Sequence, residues 1–272
     1  MSSASPATEP PPAVLAAFGA TQPLQRLAGG RGLTWRSGDV VLRPVDSDQE
    51  AEWKSRALSE LPVTGGFTVP RPIPASHSGW VQDGWQAMEW VPGAADERRV
   101  DDVVDAGAAF HDAVAHLERP AFIGSSDDPW SRADRVAWGE MRAPEDRLIE
   151  RMLGEYRPVD APNQLIHGDL LGNVLFAEGR APAVIDWAPY WRPHGWATAI
   201  AVADAVCWHD YPLTRLSEDH GVRQWRQLML RALVFRMSTL HFNGGWSQAV
   251  AARHVHVVEA TIALEDPSSA GR

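Results

Sequence analysis

Two segments decide the fold of this chain: LIHGDLLGNVLF at residues 165–176, and VIDW at residues 184–187. They carry two carboxylates, Asp169 and Asp186, and one carboxamide, Asn173, each near the end of a short apolar run that predicts a strand. In phosphoryl transfer, one carboxylate orients the acceptor hydroxyl and takes its proton, while oxygen ligands hold Mg²⁺ against the phosphates. The segments therefore predict a phosphoryl-transfer site.

The same residues resemble the aminoglycoside phosphotransferase and choline-kinase-like family, a branch of the protein-kinase fold, and more narrowly an actinobacterial branch of it. That family's catalytic loop reads His-Gly-Asp-Leu with a following Asn, and its metal element reads Ile-Asp-Trp or Ile-Asp-Phe. The resemblance implies that Asp169 is the catalytic base and that Asp186 and Asn173 bind Mg²⁺. It also implies that His167 supports the loop. Only the stretch 167–187 is specific to the family.

The spacing inside the loop departs from the kinase pattern, which places four residues between the catalytic Asp and the Asn. Here three residues, Leu170, Leu171 and Gly172, separate Asp169 from Asn173. A shorter loop shifts the Asn side chain unless the backbone re-forms around the glycine, which adopts conformations that other residues avoid. We therefore expect the placement of Asn173 to decide whether the site works.

A second departure lies in the strand predicted over residues 39–44, where the family places a lysine paired with a helix glutamate. The residue there is Arg43, which keeps the charge and can hold phosphate with two parallel hydrogen bonds. Its expected partner is Glu52, with Glu50 as the alternative, and the sole lysine, Lys54, is the other cation available. A surface arginine on an edge strand is the competing interpretation.

Two further segments match nucleotide-binding positions of the family. A glycine cluster precedes the strand of Arg43, where a phosphate-covering loop belongs, although a hairpin turn explains it equally well. Its glycines are Gly29, Gly30 and Gly32. The run MEWVPG at residues 88–93 falls at the expected hinge between lobes. There the carbonyl of Glu89 and the N–H of Val91 would bond to the edge of the adenine.

Candidates for acceptor contact follow the metal element. They are Trp191, Arg192, His194 and Trp196, with Trp208, His209 and Asp210 as weaker candidates. Packing within the lobe is the alternative for each of them. Asp204 lies where the resemblance implies an aspartate that braces the catalytic loop, whereas His111 and His116 are interpreted as structural.

The order of elements predicts an α+β, protein-kinase-like fold with two lobes. Short β-like segments with many Gly and Pro residues fill residues 13–91, which we expect to bind nucleotide. Helical patterns, an amphipathic one over residues 100–117 and another over residues 138–156 among them, dominate residues 92–265, which we expect to hold the catalytic and acceptor sites. Residues 1–12 and 266–272 are predicted to be disordered.

Composition excludes several classes of protein. The formal net charge of -10 argues against nucleic-acid binding, which needs clusters of Lys and Arg. No apolar run has the length to span a bilayer, and the N-terminal residues lack the pattern of a signal peptide. The single cysteine, Cys207, permits no internal disulfide, so we expect a cytoplasmic protein.

These observations predict an enzyme that uses ATP or GTP with Mg²⁺ to phosphorylate a hydroxyl of a small molecule. A sugar, an amino alcohol or an aminoglycoside-like compound fits the resemblance, and the sequence does not choose among them. The alternative is a non-catalytic kinase-like protein that binds a nucleotide or a partner. Its motives are Arg43 in place of lysine and the short spacing from Asp169 to Asn173.

Overall fold

The structure, a computed structural model, divides into two compact units. It describes residues 9–28, 32–62, 66–77 and 79–265. The first unit is the chain up to Gly93 together with Phe176–Ile185, and the second is Ala94–Leu175 together with the chain from Asp186 onward. Strands predominate in the first and helices in the second, as predicted. The division falls two residues after the expected boundary at residue 91, and Phe176–Ile185, expected in the second lobe, groups with the first.

The first unit is built on an antiparallel sheet. Its elements are α1 (Pro12–Ala17), β1 (Leu24–Arg26), β2 (Trp35–Ser37), β3 (Val40–Pro44), α2 (Asp48–Glu60), β4 (Pro72–Ile73), β5 (Val81–Gln82) and β6 (Trp85–Glu89). The strand order is β1-β2-β3-β6-β4, and β5 also pairs with β6. Leu42 lies opposite Trp35 on one side and Ala87 on the other, so one row of buried side chains crosses the sheet.

Helix α1 covers one end of this buried row. Val14 is fully buried and packs with Phe18, Trp35, Leu42 and other residues of the sheet core. The helix begins at Pro12, where the fixed φ of proline suits the first helical position. The helix therefore includes Pro12, the last residue of the segment 1–12 for which disorder is predicted, because Val14 and Phe18 have a core to bury into.

Helix α2 is held at both ends. The Ser47 hydroxyl accepts from the Glu50 N–H at 3.3 Å, which satisfies one of the free donors of the first turn. At the other end Arg71 Nη1 donates to the carbonyls of Leu58 at 2.7 Å and Leu61 at 3.1 Å. These bonds compensate the carbonyls that a helix end leaves without partners.

The second unit is mainly helical. Its elements are β7 (Ala94–Ala95), α3 (Val100–Val114), α4 (Pro129–Ala137), α5 (Arg147–Gly154), β8 (Gln164–His167), β9 (Val174–Phe176, whose last residue belongs to the first unit), β11 (Pro189–Arg192), α6 (His194–Trp208), α7 (Trp225–Phe242) and α8 (Gln248–Ile262), while β10 (Ala183–Val184) lies in the first unit. β8 and β11 form an antiparallel pair in which His167 lies opposite Pro189. α6 and α7 pack against each other, and most of their residues are buried.

The single helix predicted over residues 138–156 is wrong, because α4 ends just before that region and only the shorter α5 lies within it, after a break. α4 ends at Ala137, and Gly139 follows with a φ of +73°, the left-handed conformation that commonly ends a helix. α5 then begins after Asp146, whose carboxylate accepts from the Leu148 N–H at 2.8 Å. Gly139 thus ends one helix and Asp146 caps the start of the next, so no helix continues between the two residues.

Candidate active site

The loop that follows β8 is anchored by close backbone packing. Gly168 N–H donates to the Ala188 carbonyl at 3.0 Å, across the β8–β11 pair. A Cβ at Gly168 would lie 2.4 Å from the Tyr190 ring, so only glycine fits. Leu170 is almost fully buried, and one of its methyl carbons lies 2.4 Å from where a Cβ at Gly107 of α3 would stand. The close contacts at Gly168 and Gly107 therefore hold the backbone on both sides of Asp169.

Two buried histidines support the loop from below. The His167 N–H donates to His111 Nε2 at 3.0 Å, and the Asp169 N–H donates to His167 Nδ1 at 3.1 Å. Burial, with smaller contributions from the nearby His167 and His194, lowers the pKa of His111 to about 3. His111 therefore stays neutral at physiological pH and keeps the acceptor nitrogen that orders the strand end.

The shortened loop re-forms as a tight turn. Asn173 N–H donates to the Leu170 carbonyl at 2.9 Å, and Gly172 in between has a φ of +85°, which favours glycine. Asn173 Nδ2 donates to the Asp169 backbone carbonyl at 2.7 Å and to its carboxylate Oδ2 at 3.2 Å. Both amide hydrogens are thus used within the loop. Among the described residues none donates to Asn173 Oδ1, which leaves that oxygen for a ligand.

Asp186 is exposed and precedes an anchored residue. Its φ is +49°, a value that few non-glycine residues adopt and that often marks a functional position. The next residue, Trp187, is buried, donates from Nε1 to the Ile166 carbonyl at 3.1 Å and meets the ring of Phe110 edge to face. Trp187 therefore fixes the segment while the Asp186 carboxylate stays accessible.

Arg236 of α7 joins Asp169 to Asp204. Its Nη2 donates to Asp169 Oδ1 at 2.6 Å, its Nε donates to Asp204 Oδ1 at 2.8 Å, and its Nη2 also bonds Asp204 Oδ2. Burial opposes the charge on Arg236, but the carboxylates of Asp204 and Asp169 outweigh it and raise the pKa of the guanidinium. Burial raises the pKa of Asp204 even though Arg236 opposes the shift. Asp169 keeps 48% of its side chain exposed.

Comparison with known proteins assigns the family. The profile of the phosphotransferase enzyme family (APH) matches residues 33–190, more than half of the chain. The chain belongs to this family. No curated protein sequence matches it.

Solved structures share the fold at low sequence identity. Amicoumacin kinase hAmiN, in complex with AMP-PNP, Ca²⁺ and Ami, is 13% identical, with 88% of this chain and 87% of that chain covered and a TM-score of 0.59. Aminoglycoside 2'-phosphotransferase-IIIa, in its GDP complex, is 16% identical, with 89% and 93% covered and a TM-score of 0.50. The predicted protein-kinase-like fold is confirmed, and the family places the chain among the small-molecule phosphotransferases.

In this phosphotransferase, the residues predicted to contact nucleotide belong to the first unit. Half-buried Arg43 lies on β3 opposite Gln86 of β6. Glu52 on α2 accepts at Oε1 from the N–H groups of Trp80 at 2.8 Å and Val81 at 3.1 Å, so this oxygen ties the helix to the segment beside β5. The alternatives, Glu50 and Lys54, pair with each other at 2.8 Å.

The other nucleotide candidates are backbone positions. Gly29 and Gly30 lie outside the described residues. Gly32 has a φ of +70°, and its carbonyl accepts from Arg26 Nε at 2.7 Å. Glu89 ends β6, where its N–H donates to the Arg71 carbonyl at 2.7 Å, and Val91 follows just before the boundary of the unit.

The four acceptor candidates separate into buried and accessible residues. Trp196 is fully buried and meets Trp138, Tyr190 and Phe235 edge to face, so it belongs to the core rather than to an acceptor site. Arg192 is also buried. Trp191 is half-buried on β11, and His194 is exposed at the start of α6.

Arg192 is committed to two carboxylates. It contacts Asp134 at 2.7 and 2.8 Å and Glu140 at 2.7 and 2.9 Å. Only 11% of its side chain is exposed. These contacts favour the packing alternative for Arg192, because its donors are used to join β11 to α4 and the residues that follow it.

Sequence reasoning missed one residue of the site, Arg236, and it interpreted His111 as structural without locating its contact with His167. The signal for Arg236 was available, since it interrupts the apolar run ALVFRM at residues 232–237 in a helix that is buried on most faces. A charged side chain in such a run needs a partner of opposite charge. The partner could not be named, because Asp169 lies 67 residues away in the sequence.

The metal prediction can be tested on the chemistry of the donors. Within the described residues, no three His, Cys, Asp or Glu side chains cluster as a metal site. Mg²⁺ commonly uses one or two protein oxygens together with phosphate oxygens, so such a cage is not required. Asp186 offers an exposed carboxylate and Asn173 an amide oxygen without a donor, and both suit Mg²⁺.

In the described part of the chain, no helix is long and apolar enough to cross a membrane.

Proposed function

We propose that this protein transfers the terminal phosphoryl group of a nucleoside triphosphate to a hydroxyl of a small molecule, in an Mg²⁺-dependent reaction in the cytoplasm. The observation that carries the proposal is the Asp169 carboxylate, which is half exposed, anchored by its loop and oriented by Arg236 and Asn173. Family membership supports the general activity. The acceptor hydroxyl and the role of each residue are our proposal.

In the proposed reaction, Asp169 accepts a hydrogen bond from the acceptor hydroxyl and directs its oxygen toward the terminal phosphorus. The new P–O bond forms as the bond to the nucleoside diphosphate oxygen breaks, and the hydroxyl proton passes to Asp169. The transition state of such transfers is loose, so orientation contributes more than the strength of the base. The fixed contacts to Arg236 and Asn173 suit that task, because they hold the carboxylate in one rotamer.

Asp186 and Asn173 Oδ1 are the groups that would hold Mg²⁺, which when bound neutralises charge on the phosphates. The turn around Gly172 supports this assignment, because it directs both amide hydrogens of Asn173 into the loop. His167 and Asp204 would act as supports, the first through the backbone of Asp169 and the second through Arg236.

For the nucleotide, we propose Arg43 as the phosphate contact and Glu52 as the residue that positions its surroundings. Gly29, Gly30 and Gly32 would cover the phosphates, and the backbone of Glu89 and Val91 would bond to the base. The related structures hold an ATP analogue in one case and GDP in the other, so ATP and GTP are both candidates.

The test measures release of the nucleoside diphosphate by purified protein with ATP or GTP, Mg²⁺ and a library of sugars, amino alcohols and aminoglycosides. With an accepted substrate, Asp169→Asn should reduce turnover by about 10²–10⁴, the usual contribution of a general base. Asp105→Asn, on an exposed position of α3, is the matched control and should keep wild-type turnover.

Two outcomes would contradict the proposed enzymatic activity. If the protein binds Mg²⁺–nucleotide but its turnover does not exceed that of Asp169→Asn, the alternative is favoured, a non-catalytic kinase-like binding protein. The presence of Arg43 in place of lysine is an observation that supports this alternative. Failure to bind either nucleotide would reject both proposals. An Arg43→Lys variant then tests whether the arginine limits binding.

A further inference from the structure

The sheet of the first unit presents two different faces. The buried row around Leu42 packs with α1. Neighbouring residues of a strand point to opposite faces, so the adjacent row lies on the other side of the sheet. In that row Arg36 of β2 stands opposite Val41 of β3, and Val41 stands opposite Met88 of β6. All three residues are only half-buried, and Arg43, the proposed phosphate contact, points to the same face.

The Arg36 side chain is held at two points. Its Nε donates to the Gly38 carbonyl, in the turn after β2, at 2.7 Å, and its guanidinium carbon lies 4.0 Å from the centre of the Trp90 ring. Trp90 is itself fixed, because its N–H donates to the Asp39 carbonyl at 2.7 Å. Among the described residues, none accepts from Arg36 Nη1 or Nη2, and no second ring covers the guanidinium. The other face of this group is therefore open to a ligand.

The ring beneath Arg36 belongs to the segment proposed to bind the base. Trp90 lies between Glu89 and Val91, whose carbonyl and N–H we propose as the contacts of the base edge. The turn that anchors Arg36 lies at the same end of the sheet, because Val40, which directly follows that turn, pairs with Glu89. A base bonded there would therefore lie next to the guanidinium.

The proposed phosphate contacts lie toward the opposite end of the sheet. Arg43 is two residues, or about 7 Å, farther along β3 than the residue opposite Arg36. Because β2 and β3 are antiparallel, this is also the end at which β2 begins, shortly after Gly32. The Arg36 side chain leans the other way, toward Gly38 beyond the end of β2. Arg36 is thus placed for the base rather than for the phosphates.

The chemistry of a guanidinium suits the face of a base. The group is planar and cationic, and it stacks on aromatic rings as well as on nucleic acid bases. Adenine and guanine differ in the donors and acceptors at their edges, whereas both present an aromatic bicyclic face. Contact through the face therefore contributes equally to both purines. Val41 and Met88 add apolar surface to the same row, as is usual in cofactor sites.

We infer that Arg36 stacks on the purine base of the nucleotide, with Trp90 on the other face of the guanidinium. The inference rests on the proposed function, because it adds a residue to the proposed nucleotide site. Arg36 then strengthens the binding of ATP and of GTP by the same factor, and a preference between the two comes from the backbone of Glu89 and Val91.

Calorimetric titration with ATP, GTP and inorganic tripolyphosphate, each with Mg²⁺, tests the inference, because tripolyphosphate carries the phosphates without the base. We expect Arg36→Met to weaken ATP and GTP by a common factor of about five to thirty, the usual contribution of a cation over an aromatic face. Arg56→Met, at an exposed position of α2, removes the same charge and is the matched control. The two variants should bind tripolyphosphate with equal affinity, which also shows that Arg36→Met is folded.

Two further variants separate stacking from charge. Arg36→Lys keeps the charge but lacks the planar group, so it should weaken both purine nucleotides by a smaller common factor and leave tripolyphosphate unchanged. Trp90→Leu removes the ring that holds the guanidinium. The double variant of Arg36→Met with Trp90→Leu should therefore lose less affinity than the product of the two single losses, because both substitutions act on one contact.

Several results would overturn the inference. If Arg36→Met weakens tripolyphosphate as much as it weakens ATP, the arginine contacts phosphate. If it weakens only one of the two nucleotides, it contacts the edge of the base and not its face. Unchanged affinity for both nucleotides, or no binding of either to the wild-type protein at about 1 mM, would also reject the stacking role.

Turnover separates this inference from the proposed function. If the affinities follow the expected pattern but no acceptor yields nucleoside diphosphate, the proposed phosphoryl transfer fails while the base contact stands. If an acceptor is phosphorylated and Arg36→Met binds both nucleotides as tightly as Arg56→Met does, the function stands and the inference fails.

Discussion

At the scale of single residues, Arg236 holds the charge balance of the site. It is 15% exposed and contacts Asp204, which is 13% exposed, and the more accessible Asp169. The guanidinium of Arg236 thus pairs with two carboxylates at once. A buried pair of this kind contributes little net stability, but removal of one partner leaves the other charge without compensation.

We predict that Arg236→Met lowers the free energy of unfolding by about 3–5 kcal/mol, because Asp204 would then be a buried carboxylate without a partner. The double variant Arg236→Met with Asp204→Leu should recover most of that loss, since both charges are then replaced by apolar groups of similar size. Urea denaturation measures both effects.

The exposed pair of Arg98 and Asp96 offers a control, because Arg98→Met should leave stability unchanged. Phosphoryl transfer should be lost in both Arg236 variants, since neither orients Asp169. A double variant as unstable as the single one would contradict the charge argument.

At the scale of elements, the turn from Leu170 to Asn173 carries the departure from the kinase spacing. Its geometry depends on Gly172, whose φ of +85° strains any residue with a Cβ. No steric clash adds to that strain, because the nearest contact of a Cβ there would be Glu97 Oε1 at 3.8 Å. The conformation of the backbone is therefore the main reason for glycine at this position.

Gly172→Ala should lower the free energy of unfolding by about 1–2 kcal/mol through backbone strain. It should also raise the Mg²⁺ concentration needed for half-maximal turnover, because Asn173 would shift. Gly154→Ala in α5 is the matched control: a Cβ there meets nothing within 4 Å, and a helical alanine stabilises by a few tenths to 1 kcal/mol. Thermal unfolding and Mg²⁺ titration of turnover test the pair. Unchanged Mg²⁺ dependence in Gly172→Ala would remove Asn173 from the metal site.

The accuracy of a sequence-based prediction also differs from one element to the next. The segments around Asp169 and Asp186 were found because their residues are neighbours in the sequence and keep a fixed spacing. The break between α4 and α5 is readable from Gly139 and Asp146, whereas the sequence-based prediction extends one helix across both residues. For Trp196 the sequence left acceptor contact and core packing both open, because a tryptophan beside a site and one in the core have the same local sequence pattern, and only tertiary packing separates them.

At the scale of the whole molecule, buried histidines link folding to pH. Burial lowers the pKa of His111 to about 3, and burial also lowers the pKa of His254, whereas unfolded histidine titrates near 6.5. Below pH 6.5 the unfolded chain therefore binds protons that the folded chain refuses. The contribution of His111 and His254 to stability is therefore complete above pH 6.5, and it falls as the pH decreases toward the pKa values of these residues in the folded protein.

We predict that His111 contributes a slope of about 1.4 kcal/mol of unfolding free energy per pH unit between pH 6 and 4, as follows from linkage. His111→Gln keeps a side-chain oxygen that can accept from the His167 N–H but does not titrate, so its stability should fall less steeply with acid. Exposed His256→Gln is the matched control and should retain the wild-type slope. Urea denaturation at half-unit steps of pH gives the three slopes. Parallel curves for all three proteins would show that His111 takes up a proton in the folded state, and a neutral His111 under the catalytic loop would then have to be abandoned.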